Sequence, residues 1–176
     1  GAAHVIEDTA TRYTPVHIEE FCDNKIRQMQ EYKLFLLEKM PVAKNEVEGY
    51  ITIKGAHAVM NKLINMIAKA EARVYVSATA AIIEQLRPQL EDAVRRGLKV
   101  VIITARPLLL NGATVYHADE PSRQIRLIAD SGKVLTGDFS DGEASTCLYS
   151  GKQNLVELFK DALKNEIKLI ELTKRK

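Results

Sequence analysis

From His17 to Met40, apolar residues return every three or four positions: Ile18, Cys22, Ile26, Met29, Leu36 and Met40, with Lys33 in the one slot that breaks the series. This period predicts a helix with an apolar stripe. Phe21, Tyr32, Leu34, Phe35 and Leu37 widen the stripe over its second half, more than one packing contact uses, so the helix is expected to touch two partners. Pro15 precedes it and Pro41 stops it, because proline donates no amide hydrogen and biases the residue before it away from helix.

The period then shortens. Val47, Tyr50, Ile51 and Ile53, running up to Gly55, read as a first strand. Val59, Leu63, Ile64, Ile67 and Ala70 share one helical face, and Arg73-Val-Tyr-Val-Ser77 has the nearly continuous apolar run of a buried parallel strand. That completes one β-α-β unit. A second follows: Ile82, Ile83, Leu86, Leu90 and Val94 mark a helix expected to break or kink at Pro88 and to close at Gly97, and Leu98-Lys-Val-Val-Ile-Ile-Thr104 is the third strand.

Beyond Pro107 the chain turns to short β segments, Thr114–His117, Ile125–Ile128, Lys133–Thr136 and Ser145–Tyr149, separated by Asn111-Gly112, Asp130-Ser-Gly132 and Asp141-Gly142. The Asp130-Ser-Gly132 turn predicts an antiparallel hairpin. Leu155, Leu158, Phe159, Leu163, Ile167 and Ile170 then fall on one face of a long last helix, followed by Lys174-Arg-Lys176, a basic ending that suits a helix C-terminus.

Composition narrows the function classes. A net charge of +2 over 176 residues is too small to argue for nucleic-acid binding, and basic positions are not interleaved with aromatics as in a single-strand binder, so any DNA contact is expected outside these residues. Cys22 and Cys147 form neither a C-x-x-C pair nor a Cys/His cluster, so no redox or zinc motif and no cofactor motif is present. No apolar run reaches the roughly 18 residues that cross a bilayer, and no signal sequence opens the chain; a reducing cytoplasm, away from any membrane, is the expected setting. Gly1-Ala2-Ala3, with no initiating methionine, reads as the start of a piece of a longer protein.

Tyr13-Thr-Pro15, Gly49-Tyr-Ile-Thr-Ile-Lys-Gly55, Ala68-Lys-Ala-Glu-Ala-Arg-Val-Tyr-Val-Ser77, Arg95-Arg-Gly-Leu-Lys-Val-Val-Ile-Ile103 and Ser150-Gly-Lys-Gln-Asn154 together resemble the TrmB family of transcriptional regulators. The resemblance extends over nearly the whole chain and rests on patterns of hydrophobicity and turns. It implies an α/β fold with a phospholipase-D-like mixed sheet flanked by helices, preceded by a long dimerising helix. Residues 1–45 would be the linker and dimerisation helix, a coiled-coil seam of Ile18, Cys22, Ile26, Met29, Leu36 and Met40, and residues 46–176 the sensor domain. The implied partners are a second copy of the chain, a small-molecule effector such as a sugar or another polar metabolite, and DNA through a winged helix-turn-helix outside these residues.

Phospholipase-D-like hydrolysis uses the pattern H-x-K-x-x-x-x-D, in which histidine is the nucleophile and lysine holds the phosphate. The residues two places after His4, His17, His57 and His117 are Ile6, Glu19, Val59 and Asp119, so the pattern is absent. Counting back from Asp130, where the superfamily's acid would lie, gives Arg123 and Ile125 at the histidine and lysine positions. An aspartate before Ser-Gly is in any case more often turn-forming than chemical. Gly132-Lys-Val-Leu-Thr-Gly137 has P-loop glycine spacing, but Asp138 and Phe139 stand where lysine and Ser/Thr are needed. No G-x-S-x-G or H-E-x-x-H segment occurs, and the chain reads as non-catalytic.

In open α/β sheets, ligands gather outside the carboxyl ends of strands. Ser77 and Thr79 follow the second strand, Thr104 and Arg106 the third, and Tyr149, Ser150 and Asn154 lie between the last strand and the last helix. With Asp130 they form the expected ligand set, for a polar uncharged or anionic metabolite whose binding alters how two subunits are set. Ser77, Thr79 and Ser150 equally suit helix caps, and Arg106 a solvated loop. The competing readings are a non-catalytic interaction and dimerisation module, and a degenerate phosphodiesterase.

Overall fold

The computed structural model describes residues 2–7, 11–41, 49–118, 124–139 and 144–173. Val47, Asp119, Arg123, Asp141-Gly142 and Lys174-Arg-Lys176, to which the sequence reading assigned parts, lie outside the described residues. The chain divides into two compact units, Gly1–Asn45 and Glu46–Lys176.

The first unit opens with an antiparallel hairpin that the hydrophobic pattern did not reveal, β1 (Ala3–Glu7) against β2 (Thr11–Pro15), in register from Ala3 with Pro15 to Glu7 with Thr11. Its residues are almost all exposed, so no burial alternation marks it. Then comes α1 (Ile18–Lys39), 22 residues long, with Glu19 and Glu20 in its first turn and Lys39 in its last, the charge placement that complements the helix dipole. None of its residues is buried.

The second unit is built on one seven-stranded mixed sheet in the order β3-β9-β8-β7-β4-β5-β6. Its strands are β3 (Tyr50–Lys54), β4 (Arg73–Ser77), β5 (Lys99–Thr104), β6 (Thr114–His117), β7 (Gln124–Ala129), β8 (Lys133–Asp138) and β9 (Thr146–Ser150). The helices are α2 (Ala56–Ala68), α3 (Ala80–Arg95) and α4 (Gln153–Thr173). Only β4-β5 and β5-β6 are parallel neighbours; every other pair is antiparallel. The first expected β-α-β unit is therefore a long crossover: β3 and β4 point the same way, but β9, β8 and β7 lie between them.

Strand parity sorts the side chains into two layers. Val74, Val76, Val100, Ile102, Ile125 and Leu127 face α2 and α3, where Val59, Leu63, Ile67, Ile83, Leu86 and Leu90 meet them in the main core. Ile103, Ile128 and Val134 face the other way, toward Val156, Leu163 and Ile170 of α4. On α4 the expected stripe shifts slightly: Val156 is buried and Leu158 is exposed, because the contact line follows 156, 163 and 170.

Several local devices fix this frame. Thr79 caps α3, and α3 runs without a break through Pro88, whose position in the exposed face removes one ladder bond without ending the helix. It closes at Gly97 (φ +80), with Gly97 N–H donating to the Val94 carbonyl and Leu98 N–H to that of Ala93, a Schellman closure. The Arg96 guanidinium donates to the Ala70 and Ile67 carbonyls at 2.8 and 2.9 Å, supplying partners at the end of α2. The P-loop-like run is no loop at all: it is β8, paired on both sides. Gly137 is required there, because a Cβ would lie 2.2 Å from the Thr146 carbonyl oxygen of β9.

Candidate functional site

Because β7, β8 and β9 form an antiparallel meander, β9 finishes where β4 starts: Val74 pairs Ala129, Val134 pairs Ser150, and Ser150 pairs Tyr50. The sequence-predicted ligand residues are consequently divided between opposite ends of the sheet. Ser77, Thr79, Thr104 and Arg106 lie where β4 and β5 finish; Asp130, Tyr149, Ser150 and Asn154 lie where those strands begin. A single pocket formed by all three loops, as expected from a parallel sheet, is not what these strand directions build.

Each member has its own surroundings. The Ser77 Oγ accepts from Arg126 at 3.0 Å, and Thr79 Oγ1 accepts from the Ile82 amide at 3.5 Å. Thr104 is buried with its hydroxyl unpartnered, whereas Arg106 is exposed. Ser150 Oγ donates to the Gly49 carbonyl and accepts from the Lys152 amide, joining β3 to the entry of α4. Asn154 donates to the Tyr50 hydroxyl at 3.2 Å.

Asp130 is a tie between loops. Its carboxylate accepts from the amides of Glu71, Ala72 and Arg73 at 2.8 to 3.0 Å, and both Asp130 (φ 51) and Ser131 (φ 54) adopt left-handed backbone to make the turn. Burial works to raise its pKa, but the three amide bonds and nearby Lys133 outweigh it and hold the carboxyl below the usual aspartate range. Ile125, at the position of the phosphate-holding lysine, is fully buried in the core against α2 and α3. Among the described residues, no group of three or more His, Cys, Asp or Glu is placed to hold a metal ion.

Two cavities flank the Asp130 turn. On the α2 side, about 450 Å³ is lined by Lys62, Lys69, Lys133, Asp130 and Tyr149. Lys62 Nζ sits 3.6 Å from the centre of the Tyr149 ring, and burial, then the charges of Lys69 and Lys133, lower its pKa. On the other face a larger cleft of about 540 Å³ lies between α4 and strands β4, β5 and β6. Its apolar floor includes Tyr75, Val101, Tyr116, Ile128 and Ile167, and its walls carry Arg73 and Lys99 from the strands and Lys160, Lys164 and Lys168 from α4. The Tyr116 hydroxyl contacts Glu171 at 3.3 Å, and burial first, then that carboxylate, pushes the phenol pKa up. This volume is that of a small-molecule site. Sequence reasoning passed over it, although the i, i+4, i+8 spacing of the three lysines was a usable signal.

Comparison with known proteins gives the frame a lineage. The family model "Transcriptional regulator TrmB, EBD N-terminal subdomain" matches residues 49–145. The chain belongs to the TrmB family. Among curated proteins, "Uncharacterized protein YrhO" of Bacillus subtilis (strain 168) is 23% identical over 188 residues, covering 99% of this chain and 68% of that one. Among solved structures, TrmBL2, an archaeal chromatin protein described as showing a novel mode of DNA binding, superposes with a TM-score of 0.64 at 18% identity, over 94% of this chain and 75% of that one. NucT from Helicobacter pylori follows at TM-score 0.56 and 14% identity, over 68% of this chain and 97% of that one. Nuc, a phospholipase D family member from Salmonella typhimurium, superposes at TM-score 0.51 and 16% identity, over 67% and 94%. The fold of this TrmB-family chain is thus phospholipase-D-like. No helix among the described residues is long and apolar enough to cross a membrane.

Proposed function

We propose that this chain is the effector-sensing and pairing portion of a transcriptional regulator. Residues 46–176 bind a small metabolite, α1 pairs two copies, and the bound state controls DNA contact by a winged helix-turn-helix elsewhere in the whole protein. Family membership supports the regulatory role, and the likeness to TrmBL2, a DNA-binding protein, supports DNA as the output. Ile125, buried at the lysine position of the hydrolytic pattern, supports a non-enzymatic unit.

The observation that carries the reading is α1. Ile18, Ile26, Met29, Leu36 and Met40 are each about half exposed or more, and Cys22 is exposed as well. The steps Cys22, Ile26, Met29, Lys33, Leu36, Met40 alternate four and three residues, the spacing of a coiled-coil seam, with Lys33 as the polar position that restricts register. An apolar stripe this long in water is unfavourable, and a second copy of the same helix covers it symmetrically.

Sedimentation of the 176-residue chain at micromolar concentration tests the pairing. A dimer is expected, converted to monomer by Ile26→Glu with Leu36→Glu while the circular dichroism of the sheet unit is retained. A monomeric parent chain would overturn the role given to α1. An effector must in addition bind the two subunit arrangements with different affinity, so its effect is read as a change in DNA affinity of the whole regulator.

A further inference from the structure

We infer that the cleft between α4 and strands β4, β5 and β6 takes a small anion with an apolar ring, in the class of aryl phosphates and aromatic polycarboxylates. This rests on the sensor reading and names the chemistry of its ligand. Arg73, Lys99, Lys160, Lys164 and Lys168 converge on one cleft whose lining includes a single carboxylate, Asp161. None of these five cations forms an ion pair among the described residues. The nearby acids are engaged elsewhere, Glu166 with Arg126 and Glu171 with Tyr116.

Lysines at i, i+4 and i+8 on one helix repel each other, and the sheet adds two further cations across the cleft, so the arrangement is unfavourable until an anion enters. The floor fixes the rest of the ligand. Tyr75 and Tyr116, with Val101, Ile128 and Ile167, offer an apolar and aromatic surface that a bare inorganic anion would leave unused. A cavity of about 540 Å³ holds a molecule of metabolite size. A nucleic-acid backbone presents its phosphates on a convex surface and would not reach this floor, which favours the small molecule. Because the cations come from both the strands and α4, the anion would join α4 to the sheet, and Ser131 of the Asp130 turn sits at the same rim.

The test uses 1-naphthyl phosphate as a fluorescent probe, a convenient choice because the chain contains no tryptophan. Fluorescence titration of the full chain is expected to show saturable binding, with 1-naphthol and inorganic phosphate each binding at least about tenfold more weakly. Lys99→Ala with Lys164→Ala should weaken binding about tenfold or more, while Lys62→Ala with Lys69→Ala, in the other cavity, should leave it unchanged. Both changed lysines of the first pair are exposed, and removing Lys164 relieves repulsion within α4, so folding is preserved.

Absence of saturable probe binding overturns the inference, as does binding indifferent to the Lys99/Lys164 pair. Inorganic phosphate binding as tightly as the probe would remove the ring from the ligand class. Salt-sensitive binding of a short DNA duplex, lost in the same variant and without probe binding, would replace the small molecule by nucleic acid. Sedimentation of the same samples separates this from the broader reading: lost probe binding with an intact dimer removes only the anion site, and a monomer that binds the probe removes only the pairing.

Discussion

Arg126 of β7 and Glu166 of α4 form a mostly buried ion pair, Nη2 to Oε2 at 2.8 Å, and the same guanidinium donates to the Ser77 hydroxyl at 3.0 Å. The pair links α4, β7 and β4 on the face opposite the main core. Breaking one partner leaves the other charged and poorly solvated, at a cost of about 3 kcal/mol. Arg126→Met and Glu166→Leu alone should therefore each lower the urea midpoint strongly, and the double variant should recover most of the loss. A double variant as unstable as the sum of the singles would mean that the pair is not the connection that matters.

Asp130 predicts an acid-dependent stability. Its folded pKa lies below the ordinary value of 3.8, so the unfolded chain takes up a proton first as the pH falls. The stabilisation is complete above that ordinary value and is lost as acid carries the solution down through the depressed folded value. Asp130→Asn should be less stable than the parent at neutral pH by about 1 kcal/mol, the difference shrinking as the pH falls below 3.8 and through the depressed folded value. A constant difference across that range would show that the charge of Asp130 contributes nothing.

The two cysteines should behave in opposite ways. Cys147 is buried, and burial, then the Asp138 charge, pushes its thiol up to about 11, whereas Cys22 is exposed on α1. In the monomeric Ile26→Glu/Leu36→Glu variant a thiol reagent should label Cys22 rapidly and Cys147 only on unfolding. If two α1 helices pair in parallel, Cys22 meets its counterpart at the seam, and mild copper-phenanthroline oxidation should give a covalent dimer that Cys22→Ser abolishes. Failure to cross-link in a species that sediments as a dimer would point to antiparallel pairing.

Hydrolysis of bis(4-nitrophenyl) phosphate should not exceed the buffer rate at any concentration of the protein. The lysine position of the hydrolytic pattern is an isoleucine buried in the core. A rate that co-elutes with the protein on gel filtration and scales with its concentration would restore the phosphodiesterase reading.

Much of the fold was legible because burial imposes a period. Val74, Val76, Ile125 and Leu127 alternate with Tyr75 and Arg126 as a two-faced sheet requires, and Asp130-Ser-Gly132 formed the expected hairpin. The β1-β2 hairpin was illegible because its residues bury almost nothing. The site was read less well, for a different reason. The residues after β4, β5 and β9 look equivalent along the chain, but strand direction is a property of the whole sheet order, and two parallel neighbours out of six pairings do not make a parallel sheet. Arg73 and Lys99 stood at strand beginnings, where the rule for parallel sheets gave no reason to look.

Ile125 shares its face of β7 with Leu127 and Ala129, all in the core beneath α2 and α3. The hydrolytic pattern cannot be installed here by a single substitution. A lysine at position 125 would bury an ammonium among leucines before it met any phosphate, and Asp130 already holds three amides that would lose their acceptor if it turned to other work. Building the pattern in would mean rebuilding a core layer and a loop together. The exposed lysines around the two clefts, by contrast, can be exchanged one at a time without disturbing that layer.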